Sequence, residues 1–171
     1  KKLMGEIVEM AGSRNIADTP ITVVIEDFDD RNSPIACVSG MQWFAEQVPG
    51  LCFTFDTGNF IIHGEDIFAA WEELKDKVVH VHCKDRKISS DKPLQTQKNA
   101  TPDIKECYLP AAVGEGCIPI KELVYKMKEY GYRGYLAIEH FDAADQEAYM
   151  QKSAANLQEY CSQTGMGIYT K

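Results

Sequence analysis

Residues 78–84 read VVHVHCK, and in an extended chain this run sorts into two faces, with Val78, His80, His82 and Lys84 on one and Val79 and Val81 on the other. Three further runs sort in the same way. ITVVIEDF at 21–28 sets Thr22, Val24 and Glu26 against Val23 and Ile25. LCFTFD at 51–56 sets Thr54 and Asp56 against Phe53 and Phe55, and YLAIEHF at 135–141 sets Tyr135, Ala137 and Glu139 against Leu136 and Ile138. One face of each run is aliphatic or aromatic, as a strand under a covering helix requires, and the other carries the polar groups. Each run is followed by a segment of helical period, at 39–47, 65–74, 120–130 and 145–160; Leu123, Met127 and Tyr130 show the three- and four-residue spacing. Four βα units in succession predict an α/β fold with a parallel sheet, helices outside and polar strand faces turned to a barrel interior.

Pro49-Gly50 and the glycines at 131 and 134 punctuate the passages from helix to strand. Residues 86–117 break the rhythm. They contain SSDKP (89–93), NATP (99–102) and GEG (114–116), and the stretch is long enough to be a lid-like loop insertion over a site. No linker composition divides the chain, so residues 1–171 are expected to form one domain. The first thirteen residues look like the end of an amphipathic helix.

Glu26, Asp56, His82 and Glu139 fall at or near the C-terminal ends of their strands on the interior face, where a parallel barrel carries its reactive groups. Singly, such residues are usually solvated, or cap a helix, and a histidine is usually hydrogen-bonded in a core or rim. Together they share strand end, face and height. Three carboxylates crowded beside one imidazole repel unless a cation compensates them, which points to one divalent metal ion. Oxygen donors with one imidazole suit Mn²⁺ first, then Mg²⁺ or Co²⁺, and do not exclude Zn²⁺.

The chain's net charge of −8, with 18 Lys and Arg spread along it, argues against nucleic acid as a partner. No run is long or apolar enough to span a bilayer. The six cysteines, at 37, 52, 83, 107, 117 and 161, form no C-x-x-C pair and read as reduced thiols of a cytoplasmic protein.

With these residues in place, the chain resembles the xylose isomerase-like TIM barrels, the sugar phosphate isomerases/epimerases. The resemblance is carried by VIED (24–27), FDTGN (55–59), HVHCKD (80–85), VGEG (113–116) and GYRGYLAIE (131–139), in that order and spacing. It implies that the chain is the C-terminal half of a (β/α)8 barrel, strands five to eight, completed by a missing N-terminal half-barrel. Such a half exposes unpaired strand edges, so a homo-oligomer is a further expectation. The resemblance also implies that Glu26, Asp56, His82 and Glu139 are the metal ligands, with Glu26 and Glu139 as the acid/base pair. Lys84 looks like a residue that reaches the substrate. Asn59 stands where many members have histidine; it can bind a hydroxyl but not shuttle a proton near neutral pH. His80, one layer down, is a further candidate near the substrate that would orient His82.

The implied activity is a metal-dependent sugar isomerase or epimerase that removes a proton beside a metal-bound carbonyl, through an enediolate. Loss of a β-substituent from the same species would instead make a lyase or dehydratase of a keto-sugar, keto-inositol or C-glycoside. An endonuclease IV-like nuclease shares the barrel, but the acidic charge and Asn59 count against it. A non-catalytic scaffold half-barrel is disfavoured by the complete ligand set.

Overall fold

Phe53 and Phe55 alternate with Thr54 and Asp56 in a five-residue strand, and all four are buried. The structure is a computed structural model describing residues 1–13, 15–16, 19–89 and 107–166. In order, the elements are α1 (Lys2–Gly12), β1 (Asn15–Ile16), β2 (Thr19–Pro20), β3 (Val24–Glu26), α2 (Val38–Gln47), β4 (Cys52–Asp56) and α3 (Ile67–Leu74). They continue with β5 (Val78–Cys83), β6 (Asp85–Ser89), β7 (Cys107–Ala111), α4 (Ile120–Tyr130), β8 (Tyr135–Ile138) and α5 (Gln146–Thr164). Short 3₁₀ turns precede and follow α3. The strand order is β3-β4-β5-β8, with β3 and β4 parallel, and the fold is the expected α/β class.

The chain packs as two compact units, Lys1–Val81 and His82–Lys171. In the first, Phe55 is fully buried and stands edge-on to Trp71 of α3, with ring centroids 5.7 Å apart, and 4.8 Å from the Phe60 ring. Met41, Val48, Leu51 and Leu74 complete this core. Full burial of each such side chain stabilises by about 1.5–3 kcal/mol before chain entropy is charged against it. Asp66 caps α3 by accepting the Ala69 N–H at 2.9 Å. Gly50 takes φ 86°, a left-handed turn that leads into β4 and that a side chain would strain.

In the second unit α4 buries Ile120, Leu123, Val124 and Met127, and α5 buries Leu157 and Cys161. Helix α4 stops at Gly131, whose φ of 86° lets its N–H turn back to the last carbonyls. Asp145 caps α5 through the Ala148 N–H at 3.0 Å.

The strand runs and helices are close to those read from the sequence, with informative differences. β3 is only three residues long and β8 ends at Ile138, so Glu139 lies one residue past its strand. Val79 belongs to the face expected beneath a helix and is 39 % exposed, whereas Val81 on the same face is buried: cover on that face of β5 is complete only further along the strand. The N-terminal helix exists, yet buries no residue; Leu3, Ile7 and Met10 are exposed. The stretch 86–117 is not irregular at its ends. β6 and β7 pair antiparallel from Asp85↔Ala111 to Ser89↔Cys107, and residues 90–106 lie outside the described residues.

Candidate metal centre

In the first unit, β3 and β4 end side by side and their acidic ends are laced together. Asp27, fully buried, accepts the Asp56 backbone N–H on Oδ1 at 2.8 Å. Asp56 Oδ1 accepts the Gly58 N–H at 2.8 Å, closing a tight turn over the end of β4. Asn59 is buried and its Nδ2 donates to the Asp27 carbonyl at 2.9 Å. That amide therefore ties the end of β4 back to the residue after Glu26, a positioning contact that the sequence reading of Asn59 as a substrate group did not anticipate.

Burial pushes the Asp27 carboxyl well above the usual carboxylate range; Asp56 and, less strongly, Glu26 push the same way, and the Asp56 N–H pulls against them. Three acids thus repel one another at the ends of two adjacent strands, the electrostatic situation that a bound cation relieves. The donor chemistry on this side fits a hard divalent ion.

The second unit has its own cluster of candidate groups, at the end of β5 and just past β8. Glu139 Oε2 lies 2.6 Å from His82 Nδ1, and Glu139 Oε1 lies 3.0 Å from Lys84 Nζ. The Glu139 backbone is held in place by its N–H, which donates to the Cys83 carbonyl at 3.2 Å. Lys84 is 6 % exposed, with its ammonium 5.2 Å from the centroid of the Phe141 ring. A lysine so placed is not a solvated surface charge. One of its contacts is the carboxylate of Glu139. His80 is half-buried two residues before His82, on the same face of β5.

Several residues that shape the site were not singled out from the sequence. Asp27 stands directly after Glu26, and Asp85 directly after Lys84. Asp85 is buried and accepts four backbone N–H groups, those of Gly114, Gly116, Arg86 and Ile118. Burial pushes its carboxyl up, with those four donors pulling the other way. His140 follows Glu139; its Nε2 is 3.0 Å from Ser153 Oγ, and burial lowers its basicity although Asp85 and Glu139 oppose the shift. The sequence signal for these three was adjacency to a candidate site residue, Glu26, Lys84 or Glu139.

The chain matches the sequence model described as "Xylose isomerase-like TIM barrel" over residues 2–160. It belongs to that family. An inosose dehydratase from Lacticaseibacillus casei is 28% identical over 86 residues, which are 50% of this chain and 28% of that protein. A xylose isomerase domain protein from Planctomyces limnophilus superposes with a TM-score of 0.68 at 19% identity, covering 96% of this chain and 53% of that one. The 3-keto-D-glucoside 4-epimerase YcjR from E. coli superposes with a TM-score of 0.63 at 16% identity, covering 92% and 50%. The chain thus spans about half the length of those structures, and 28% of the curated relative. Among the described residues, no helix is long and apolar enough to cross a membrane.

Proposed function

We propose that this chain carries the metal-binding and proton-transferring half of a sugar isomerase or epimerase, with Glu26, Asp56, His82 and Glu139 offering one ligand atom each to a single divalent ion, Mn²⁺ first. The observation that carries this reading is the Glu139 carboxylate, which lies just past a strand end between the His82 imidazole and the buried Lys84 ammonium. A divalent ion, when bound, supplies Lewis acidity toward a sugar carbonyl and its neighbouring hydroxyl. Glu139 is then the group that takes a proton from the adjacent carbon, or returns one. The neighbouring Lys84 ammonium steadies the negative charge that develops on the substrate. Glu26 is the partner acid/base, and return of the proton to the opposite face or to the next carbon gives an epimer or an isomer. Asp27 and Asn59 hold the ends of β3 and β4, and with them Glu26 and Asp56, in fixed register.

Dehydration of a keto-inositol is the second reading, favoured by the similarity to the inosose dehydratase. It uses the same proton abstraction followed by loss of a β-hydroxyl. One experiment separates the readings: elemental analysis of wild type and His82→Ala, then proton–deuterium exchange and product analysis with a panel of ketoses and keto-inositols in D₂O. One metal per chain, lost in the variant, with deuterium entering beside the carbonyl and no loss of water, is the expected result. Water loss establishes the dehydratase. Absence of metal after reconstitution overturns both.

A further inference from the structure

The carboxylate of Asp85 accepts four backbone N–H groups. Its Oδ2 takes the N–H groups of Gly114 at 2.8 Å and Gly116 at 2.9 Å, and its Oδ1 those of Arg86 at 2.8 Å and Ile118 at 3.1 Å. The Cys117 N–H closes on the Arg86 carbonyl at 2.6 Å. The turn at 113–118 is therefore wound around one side chain that belongs to the residue after Lys84. The sequence is shaped for this approach: a Cβ at Gly116 would stand 2.1 Å from Asp85 Oδ1 and 2.3 Å from the Arg86 carbonyl oxygen.

The other end of the same turn is fastened to α5. Ser153 Oγ accepts the Val113 N–H at 2.9 Å, and Asn156 Nδ2 donates to the Val113 carbonyl at 2.6 Å. Ser153 Oγ also meets His140 Nε2 at 3.0 Å, and His140 is the residue after Glu139. A continuous polar path thus runs from the residue after Lys84, through the turn and Ser153, to the residue after Glu139. It brackets the Lys84–Glu139 ion pair.

We propose that Asp85 is a positioning residue: through the 113–118 turn, Ser153 and His140 it holds the backbone at Lys84 and at Glu139 so that the ammonium stays 3.0 Å from Glu139 Oε1. This rests on the reading of Glu139 as the group that moves the proton. An ionised carboxylate is required, because an amide at this position keeps one acceptor oxygen and turns an NH₂ donor against two of the four N–H groups. Lys84 would then drift, and a misplacement of about 1 Å beside a reacting carbon costs up to about 100-fold in rate.

The test begins with wild-type protein, whose metal content and exchange of a ketose establish or sink the functional reading before any variant is made. Asp85→Asn is expected to keep one Mn²⁺ per chain and a KM within about twofold, and to lose about 10- to 100-fold in kcat. In a Lys84→Met background the same change is expected to have little further effect, because Asp85 acts through Lys84. An unchanged kcat, or an equal fall in both backgrounds, overturns the proposal. A readout independent of turnover is amide hydrogen exchange: Asp85→Asn is expected to speed exchange at the Glu139 N–H at least tenfold, as well as at Gly114, Gly116 and Ile118. Faster exchange confined to the turn, with Glu139 unmoved, shows a merely local clamp and overturns the coupling. If Asp85→Asn does not fold, Ser153→Ala breaks the same path between the turn and His140, and the same exchange criterion at Glu139 decides.

Discussion

Replacing Gly116 by alanine adds a single methyl group where the structure has no space. The new Cβ would lie 2.1 Å from Asp85 Oδ1, 2.3 Å from the Arg86 carbonyl oxygen and 2.6 Å from Asp85 Cγ. These neighbours are a buried carboxylate and a backbone carbonyl, not the free end of a flexible chain, so relief requires the turn to move away by about 1 Å. Overpacking of this kind costs about 1–3 kcal/mol. The movement also lengthens the Gly116 N–H contact to Asp85, now 2.9 Å, and hydrogen bonds to charged groups contribute about 1.5–3 kcal/mol each. Partial loss of one bond together with the steric term gives about 2–4 kcal/mol, which for a chain of this size lowers Tm by about 4–16 °C. Thermal unfolding followed by circular dichroism, with Gly5→Ala as the control, measures it. Gly5 lies within α1 with nothing near its would-be Cβ, and alanine there should stabilise by about 0.5–1 kcal/mol. A Gly116→Ala protein as stable as wild type would refute the account of the Asp85 turn, since the close approach that defines it would not exist in solution.

Three other outcomes follow from the site and the core. Asp27→Asn should stabilise the metal-free protein near neutral pH. The folded carboxyl titrates above its unfolded value, so wild type loses stability as pH rises through that window and the amide does not; urea midpoints in EDTA at acid and alkaline pH should converge at the acid end, and lower stability of the variant at pH 8 would contradict this. Glu139→Gln should retain measurable metal yet lose about 100- to 10,000-fold in proton exchange, read by deuterium incorporation, while exchange at the wild-type rate would remove Glu139 from the chemistry. Phe55→Ala should cost about 3–5 kcal/mol in urea unfolding, because the ring fills the space between Phe60 and Trp71, and should leave metal per chain unchanged. A cost below about 1 kcal/mol would mean that the pocket collapses freely.

Much of this protein is written in short-range pattern. The two-residue alternation in 51–56 and 78–84 specified which side chains face a helix layer, and Phe53, Phe55 and Val81 are buried accordingly. Gly50 and Gly131 marked the turns they occupy, at positive φ. Strand-end acids and histidine stood out because a strand fixes both face and height from the sequence alone, so Glu139 was placed beside its strand even though β8 ends one residue earlier.

The sequence by itself determined the succession of βα units and the candidate ligands, because each depends on periodicities of two and about four residues that local backbone geometry imposes, while the resemblance of five ordered motifs pointed to the family. Only the tertiary structure decided how those groups are held. Asp27 meets the N–H of a residue 29 positions away, and Asp85 gathers donors 29, 31 and 33 positions away. The Lys84 ammonium faces Glu139, and the Asn59 amide turns to the Asp27 carbonyl. Residue type shows that a carboxylate can accept hydrogen bonds. Which N–H groups reach it depends on where packing brings distant backbone, and no local pattern encodes that.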